Sequence, residues 1–165
     1  MDYIHYLTTK YKNKGIIIDT NILILFLIGS YNKNCISKFK KTMQYTPYDF
    51  DILIKLLKYL KPITTPNILT EATNHCDSFN SSTGYKFYPF ISNLIDAKKE
   101  LYVESKSVTN DSSFIKLGLT DSVINSLSVK GYLVLTDDLP LFGYLTTTGK
   151  EAINFNHIRS EYLLK

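Results

Sequence analysis

Cysteine is scarce in this 165-residue chain, with Cys35 and Cys76 the only two. That excludes a disulfide-framed fold, and the pair has no zinc-ligand spacing either. Both are read as free thiols in a reducing compartment. His75 precedes Cys76, but neighbours on a helix point in different directions, so no shared metal is expected from them. Arginine is rarer still: Arg159 stands alone, and the formal charge of +4 is carried almost wholly by lysine. Lysine attracts phosphate diffusely and reads bases poorly, because it lacks the bidentate fork of arginine.

A long apolar run is also missing. The most apolar stretch, Ile16 to Ile28, is too short to span a bilayer and encloses Asp19. The opening MDYIHYLTTK has no basic segment leading into an apolar one, so a secretory signal is not expected. The chain is therefore read as soluble and cytoplasmic, with no membrane partner. No repeat, low-complexity linker or Pro/Gly-rich boundary divides it, and one domain over 1–165, with its core at about 15–158, is expected. With 44% hydrophobic and 21% charged residues, the composition is that of a globular protein rather than a disordered one.

The chain then reads as strands alternating with helices. Gly15–Asp19 is a continuous apolar run, as in a parallel strand covered on both faces, and Ile22–Ile28 continues as a helix that ends at Gly29-Ser30. Helices are expected over about Cys35–Tyr45 and Pro47–Leu60, a short strand over Pro62–Thr65, and a helix from Pro66 carrying Glu71. Ser78–Gly84 has loop composition, and Tyr85–Leu101 has a broad apolar stripe at helical spacing. A helix from Asp121 stops at Gly131, Tyr132–Leu135 is a buried strand, a short helix holds Leu141 to Leu145, and Ala152–Ile158 alternates as a last strand. This order predicts an α/β fold with a mainly parallel central sheet.

In such sheets ligands bind at the carboxyl ends of the strands. Asp19 and the pair Asp137/Asp138 fall there, Asp121 opens a helix on the same edge, and Glu71 lies on a helix that starts beside it. Singly, Asp19, Asp121 and Asp138 read as helix caps or first-turn acids, each contributing about 0.5–2 kcal/mol, and Glu71 as an exposed helix residue. Together, four acids at one edge repel one another unless a divalent cation neutralises them. Oxygen donors without histidine or cysteine suit Mg2+ or Mn2+ rather than zinc.

Four segments carry a resemblance: IIIDTNILI around Asp19, ILTEA around Glu71, GLTDSVI around Asp121 and LVLTDD around Asp138. In order and spacing they resemble the PIN-domain nucleases, particularly the toxin nucleases of bacterial toxin–antitoxin pairs. The resemblance implies a PIN-like three-layer α/β/α sandwich and hydrolysis of RNA phosphodiester bonds with Mg2+ or Mn2+. It makes Asp19, Glu71 and Asp121 the core metal ligands and Asp138 the fourth acid, with Asp137 beside it. It also implies an antitoxin protein as partner, while the tyrosine- and lysine-rich stretch Cys35–Leu60 suits contact with a partner or a second copy of the chain. Asn21 and Thr136 are candidates for a metal-bound water or phosphate, and Lys38 and Lys41, with Lys10, Lys12 and Lys14, for the RNA backbone. Two departures are a helical segment of about thirty residues before Pro62, longer than in compact members, and the dearth of arginine.

A haloacid-dehalogenase-like phosphatase also ends its first strand in Asp, but needs a second Asp where this chain has Asn21. A response-regulator receiver needs an acidic pair on the first strand, where Asp19 stands alone. The remaining alternative is a PIN-like scaffold that binds RNA or protein without cutting, to which the tyrosine- and lysine-rich stretch Cys35–Leu60 is suited.

Overall fold

A computed structural model describes residues 2–163; the outermost residues of the expected domain lie outside them. Five strands form one sheet: β1 (Ile16–Ile18), β2 (Pro62–Thr64), β3 (Lys99–Glu100), β4 (Leu133–Thr136) and β5 (Ala152–Asn154). Their order is β3-β2-β1-β4-β5 and every pairing is parallel. Helices cover both faces, making a three-layer α/β/α sandwich. The expected fold class is thus observed, and β1 and β4 are interior strands.

The inner strands are apolar because both of their faces are covered. Ile16, Ile17 and Ile18 pair with Leu133, Val134 and Leu135, and all six are buried. Gly15 makes the entry to β1 possible. Its φ of +94° suits glycine, and a Cβ there would lie 2.7 Å from the Lys61 carbonyl oxygen.

Nine helices are described: α1 (Asp2–Tyr11), α2 (Thr20–Tyr31), α3 (Pro47–Leu57), α4 (Pro66–Ser82), α5 (Phe87–Asp96), α6 (Ser112–Leu117), α7 (Leu119–Val129), α8 (Leu139–Thr147) and α9 (Phe155–Leu163). None of the described helices is long and apolar enough to cross a membrane. The central α2 is buried nearly all round and packs against α3, α4 and α5. It does not end at Gly29-Ser30 as expected but runs on to Tyr31. Gly29 is there for packing: a Cβ would meet the Phe50 ring of α3 at 2.2 Å.

Four other boundaries differ from expectation. Cys35–Tyr45 is not an α-helix but a 3-10 helix (Lys33–Lys38) followed by turns. The buried Thr42 hydroxyl donates to the Ile36 carbonyl at 2.7 Å, a side-chain bond that competes with helical pairing. Ser78–Gly84 is largely helix, because Phe79 is drawn into the core edge-on to Phe87, with centroids 4.9 Å apart. The Tyr85–Leu101 helix is shorter at both ends. Tyr85 sits at φ 61°, outside the helical region, and Lys99–Glu100 pairs with Ile63 and Thr64 instead. The last strand stops at Asn154, whose Oδ1 accepts from Asn156 N at 2.9 Å and starts α9.

Candidate active site

Three helix starts converge at the carboxyl edge of the sheet. Asp19 follows β1 and caps α2; Asp138 follows β4 and caps α8; Asp121 lies in the first turn of α7. Glu71 is in the second turn of α4, which packs against α7. Helix starts present free N–H groups and a partial positive charge, which favour carboxylates.

Asp19 is the most enclosed, at 6% exposure. Its backbone N–H extends the β1–β4 ladder by donating to the Leu135 carbonyl at 3.0 Å. One carboxylate oxygen, Oδ1, accepts from Thr20 N at 2.6 Å, and Oδ2 accepts from Thr136 Oγ1 at 2.5 Å. Burial pushes the Asp19 carboxyl up to about 7, against these two bonds, and the charges of Asp137 and Asp138 push it further up.

Asp121 is half-buried and accepts no side-chain or backbone hydrogen bond from the described residues. Its carboxyl is also pushed up to about 7, by burial first and then by Asp19, Asp138 and Glu71 in turn. The four expected acids therefore share one electrostatic environment. Thr20 bridges two of them: its N–H serves Asp19, and its Oγ1 donates to Glu71 Oε2 at 3.1 Å. On its other side Glu71 faces His75, with Oε1 and Nε2 3.9 Å apart.

Asp137 and Asp138 have different tasks. Asp138 Oδ1 accepts from Leu141 N at 2.7 Å, an N-cap bond. Asp137 uses both oxygens on neighbours, accepting from Asn21 Nδ2 at 3.1 Å and from Tyr45 Oη at 2.5 Å. Its backbone carbonyl accepts from Asn156 Nδ2 at 3.1 Å. Asn21 and Thr136 thus position carboxylates. Thr136 is fully buried and joins Asp19 to the Asp138 backbone N–H, which donates to its Oγ1 at 2.9 Å.

Two of the expected lysines are engaged at the amino edge of the sheet. Lys10 pairs with Glu151 at 2.6 Å, and Lys14 donates to the Lys130 carbonyl at 2.7 Å. These partners precede β5 and β4, so both lysines sit at the amino edge, opposite the acids, as does Lys12 between them. Lys10 and Lys14 are thus already engaged by groups of this chain. Lys38 and Lys41 lie in the segment between α2 and α3 and make no side-chain bond to a described residue.

Among the described residues, no three Asp, Glu, His or Cys side chains close into a group that could hold a metal ion as they stand. Asp19 and Asp138 each accept a backbone N–H on one oxygen, as helix caps do. The donor chemistry nevertheless fits a hard divalent cation. The donors are oxygens, and Asp121 is a half-buried carboxylate with neither cation nor hydrogen-bond donor beside it among the described residues.

Tyr45 and Thr20 are members of the site that the sequence did not single out, and His75, weighed there only beside Cys76, is a third. Thr20 had one signal, its place directly after Asp19. Tyr45 had none, since it meets Asp137 across 92 positions. Beyond Glu71 a cleft of about 440 Å³ opens between α4 and the segment after β3. The chain matches no protein-family profile, no curated protein and no solved structure.

Proposed function

We propose that this chain is an endoribonuclease that hydrolyses RNA phosphodiester bonds with Mg2+ or Mn2+, similar to the PIN-domain nucleases, with Asp19, Glu71, Asp121 and Asp138 as its working acids. One observation carries the reading: Asp121, without a donor of its own, is held up near 7 by burial and by the other three acids. An uncompensated cluster of this kind calls for a cation.

Asp19, Glu71, Asp121 and Asp138 would hold the ion, and Asp137 would support the site through Asn21 and Tyr45. A bound divalent cation supplies charge neutralisation, an acidified water and stabilisation of the leaving oxygen. Thr136 keeps the Asp19 carboxylate oriented, and burial excludes bulk water from it. Lys38 and Lys41 are the candidates for backbone phosphates. A role as the toxin of a toxin–antitoxin pair in the cytoplasm, with an antitoxin protein or a second copy of the chain as partner, belongs to the same proposal.

The test is cleavage of single-stranded RNA in Mg2+, with EDTA as the stop. Asp19→Ala, Glu71→Ala and Asp121→Ala should each cut the rate by orders of magnitude while leaving the chain folded. Equal cleavage by wild type and Asp121→Ala would mean a contaminating nuclease. A second reading, a PIN-like scaffold that binds RNA or protein without cutting, is favoured by the lack of a closed three-residue ligand group among the described residues. Tight RNA binding with no cleavage in either Mg2+ or Mn2+ would select it.

A further inference from the structure

The cleft beyond Glu71 is lined by Asn67, Glu71, Asn74 and His75 from α4, by Tyr102 after β3, and by Thr120 next to Asp121. Positions 67, 71, 74 and 75 fall on one side of a helix. The opposite side of α4 buries Ile68, Ala72, Cys76 and Phe79. Glu71 belongs to both the acid cluster and the cleft, and Thr120 adjoins Asp121, so the cleft is continuous with the acids.

We infer that this cleft receives a nucleobase of single-stranded RNA, stacked on Tyr102 and hydrogen-bonded by the side-chain amides of Asn67 and Asn74. For its ligand class the inference rests on the ribonuclease reading; its geometry is independent of it. Among the described residues no lysine or arginine lines the cleft, and Glu71 repels anions, so the neutral part of a nucleotide fits better than its phosphate. A volume of about 440 Å³ is in the range of small-ligand pockets and accommodates a nucleoside. Tyr102 is 78% exposed, while the next residue, Val103, is buried and anchors the backbone beneath it. The ring is thus presented without packing against the core. Bases of single-stranded RNA stack on such rings, and amides bond their edges through a donor and an acceptor.

The experiment titrates the full chain in Mg2+ with a short single-stranded RNA carrying 2-aminopurine. Binding is read as fluorescence quenching in the first seconds, and cleavage is read separately on a gel. Tyr102→Ala should raise Kd about tenfold, in keeping with the loss of one base–aromatic stack, and Tyr102→Phe should keep the wild-type value. An unlabelled competitor abasic at the probe position should displace the probe RNA from wild type and Tyr102→Ala with the same inhibition constant. Equal Kd and quenching for wild type and Tyr102→Ala would overturn the inference, even if RNA is cleaved. Tyr102-dependent binding without cleavage would uphold it and defeat the nuclease reading. No binding to wild type would overturn both.

Discussion

Thr136 Oγ1 donates to Asp19 Oδ2 at 2.5 Å, a fully buried bond joining the ends of the two central strands. The same hydroxyl oxygen accepts from Asp138 N, so one threonine fixes two of the acids relative to each other. Thr136→Val keeps the shape but leaves an acceptor and a donor unpaired, at a cost of about 1–3 kcal/mol. A lower Tm is expected, together with a smaller rise in Tm on adding Mg2+ at pH 7, whereas Thr136→Ser should restore most of both. Melting curves with and without Mg2+ check this; an unchanged Thr136→Val would show that the bond does not hold the site.

The raised carboxyls of Asp19 and Asp121 give the metal-free protein an unusual pH dependence. In the unfolded chain both groups lose their proton near 3.8, but in the folded protein they hold it to about 7. Between those values the folded state binds more protons, so their contribution to stability is greatest in acid and is lost as pH rises through about 7. The urea midpoint in EDTA should therefore increase from pH 8 to pH 5. Asp19→Asn should flatten that rise and raise the midpoint at pH 8, and Mg2+ should flatten it in the wild type. A midpoint that falls steadily over this range would contradict the burial of these groups as charges.

Asp137 is held by Asn21 and Tyr45 through both oxygens, whereas Asp138 gives one oxygen to the start of α8. Asp138→Asn keeps a good N-cap for α8 while removing the charge, at a cost of only a few tenths of a kcal/mol in stability. It should retain Tm within a degree or two and lose RNA cleavage by orders of magnitude. Asp137→Asn should lower the rate less and Tm more. Equal cleavage losses from the two would show that the adjacent acids act as one.

Gly29→Ala tests the α2–α3 contact. The added methyl enters the Phe50 ring, and overpacking of this kind costs about 1–3 kcal/mol, more than the helix propensity gained. Its cost in Phe50→Leu should be smaller than in wild type, measured as a double-mutant cycle by urea unfolding. Additive effects would mean that α2 and α3 shift apart freely.

The parts of this structure visible in the sequence are those where local pattern and final surroundings agree. Ile16–Ile18 and Leu133–Leu135 are apolar on both faces because both faces are covered, so their interior places in the sheet could be read from composition. The acids at the ends of these strands were legible for the same reason, each marking where an apolar run stops. Phe79 and Tyr45 were not. A lone phenylalanine among serines and asparagines reads as loop until Phe87 and Tyr31 are packed around it. Tyr45 acquires its meaning only from Asp137, a neighbour set by the tertiary fold. The N-terminal helix is anchored by the buried Leu7 and Tyr11 with Ile4 packed beside them, a stripe of helical spacing but only three residues long among polar neighbours.

The short strand β3 bears on how this molecule meets others. Lys99 and Glu100 are both exposed and charged, and they offer two residues of backbone at one rim of the sheet. At the opposite rim every residue of β5 is buried. Neither rim supplies a long, apolar template on which a foreign strand could grow, so ribbon-like self-association is disfavoured. The surface left for side-chain contacts with another molecule is that of the helices and loops.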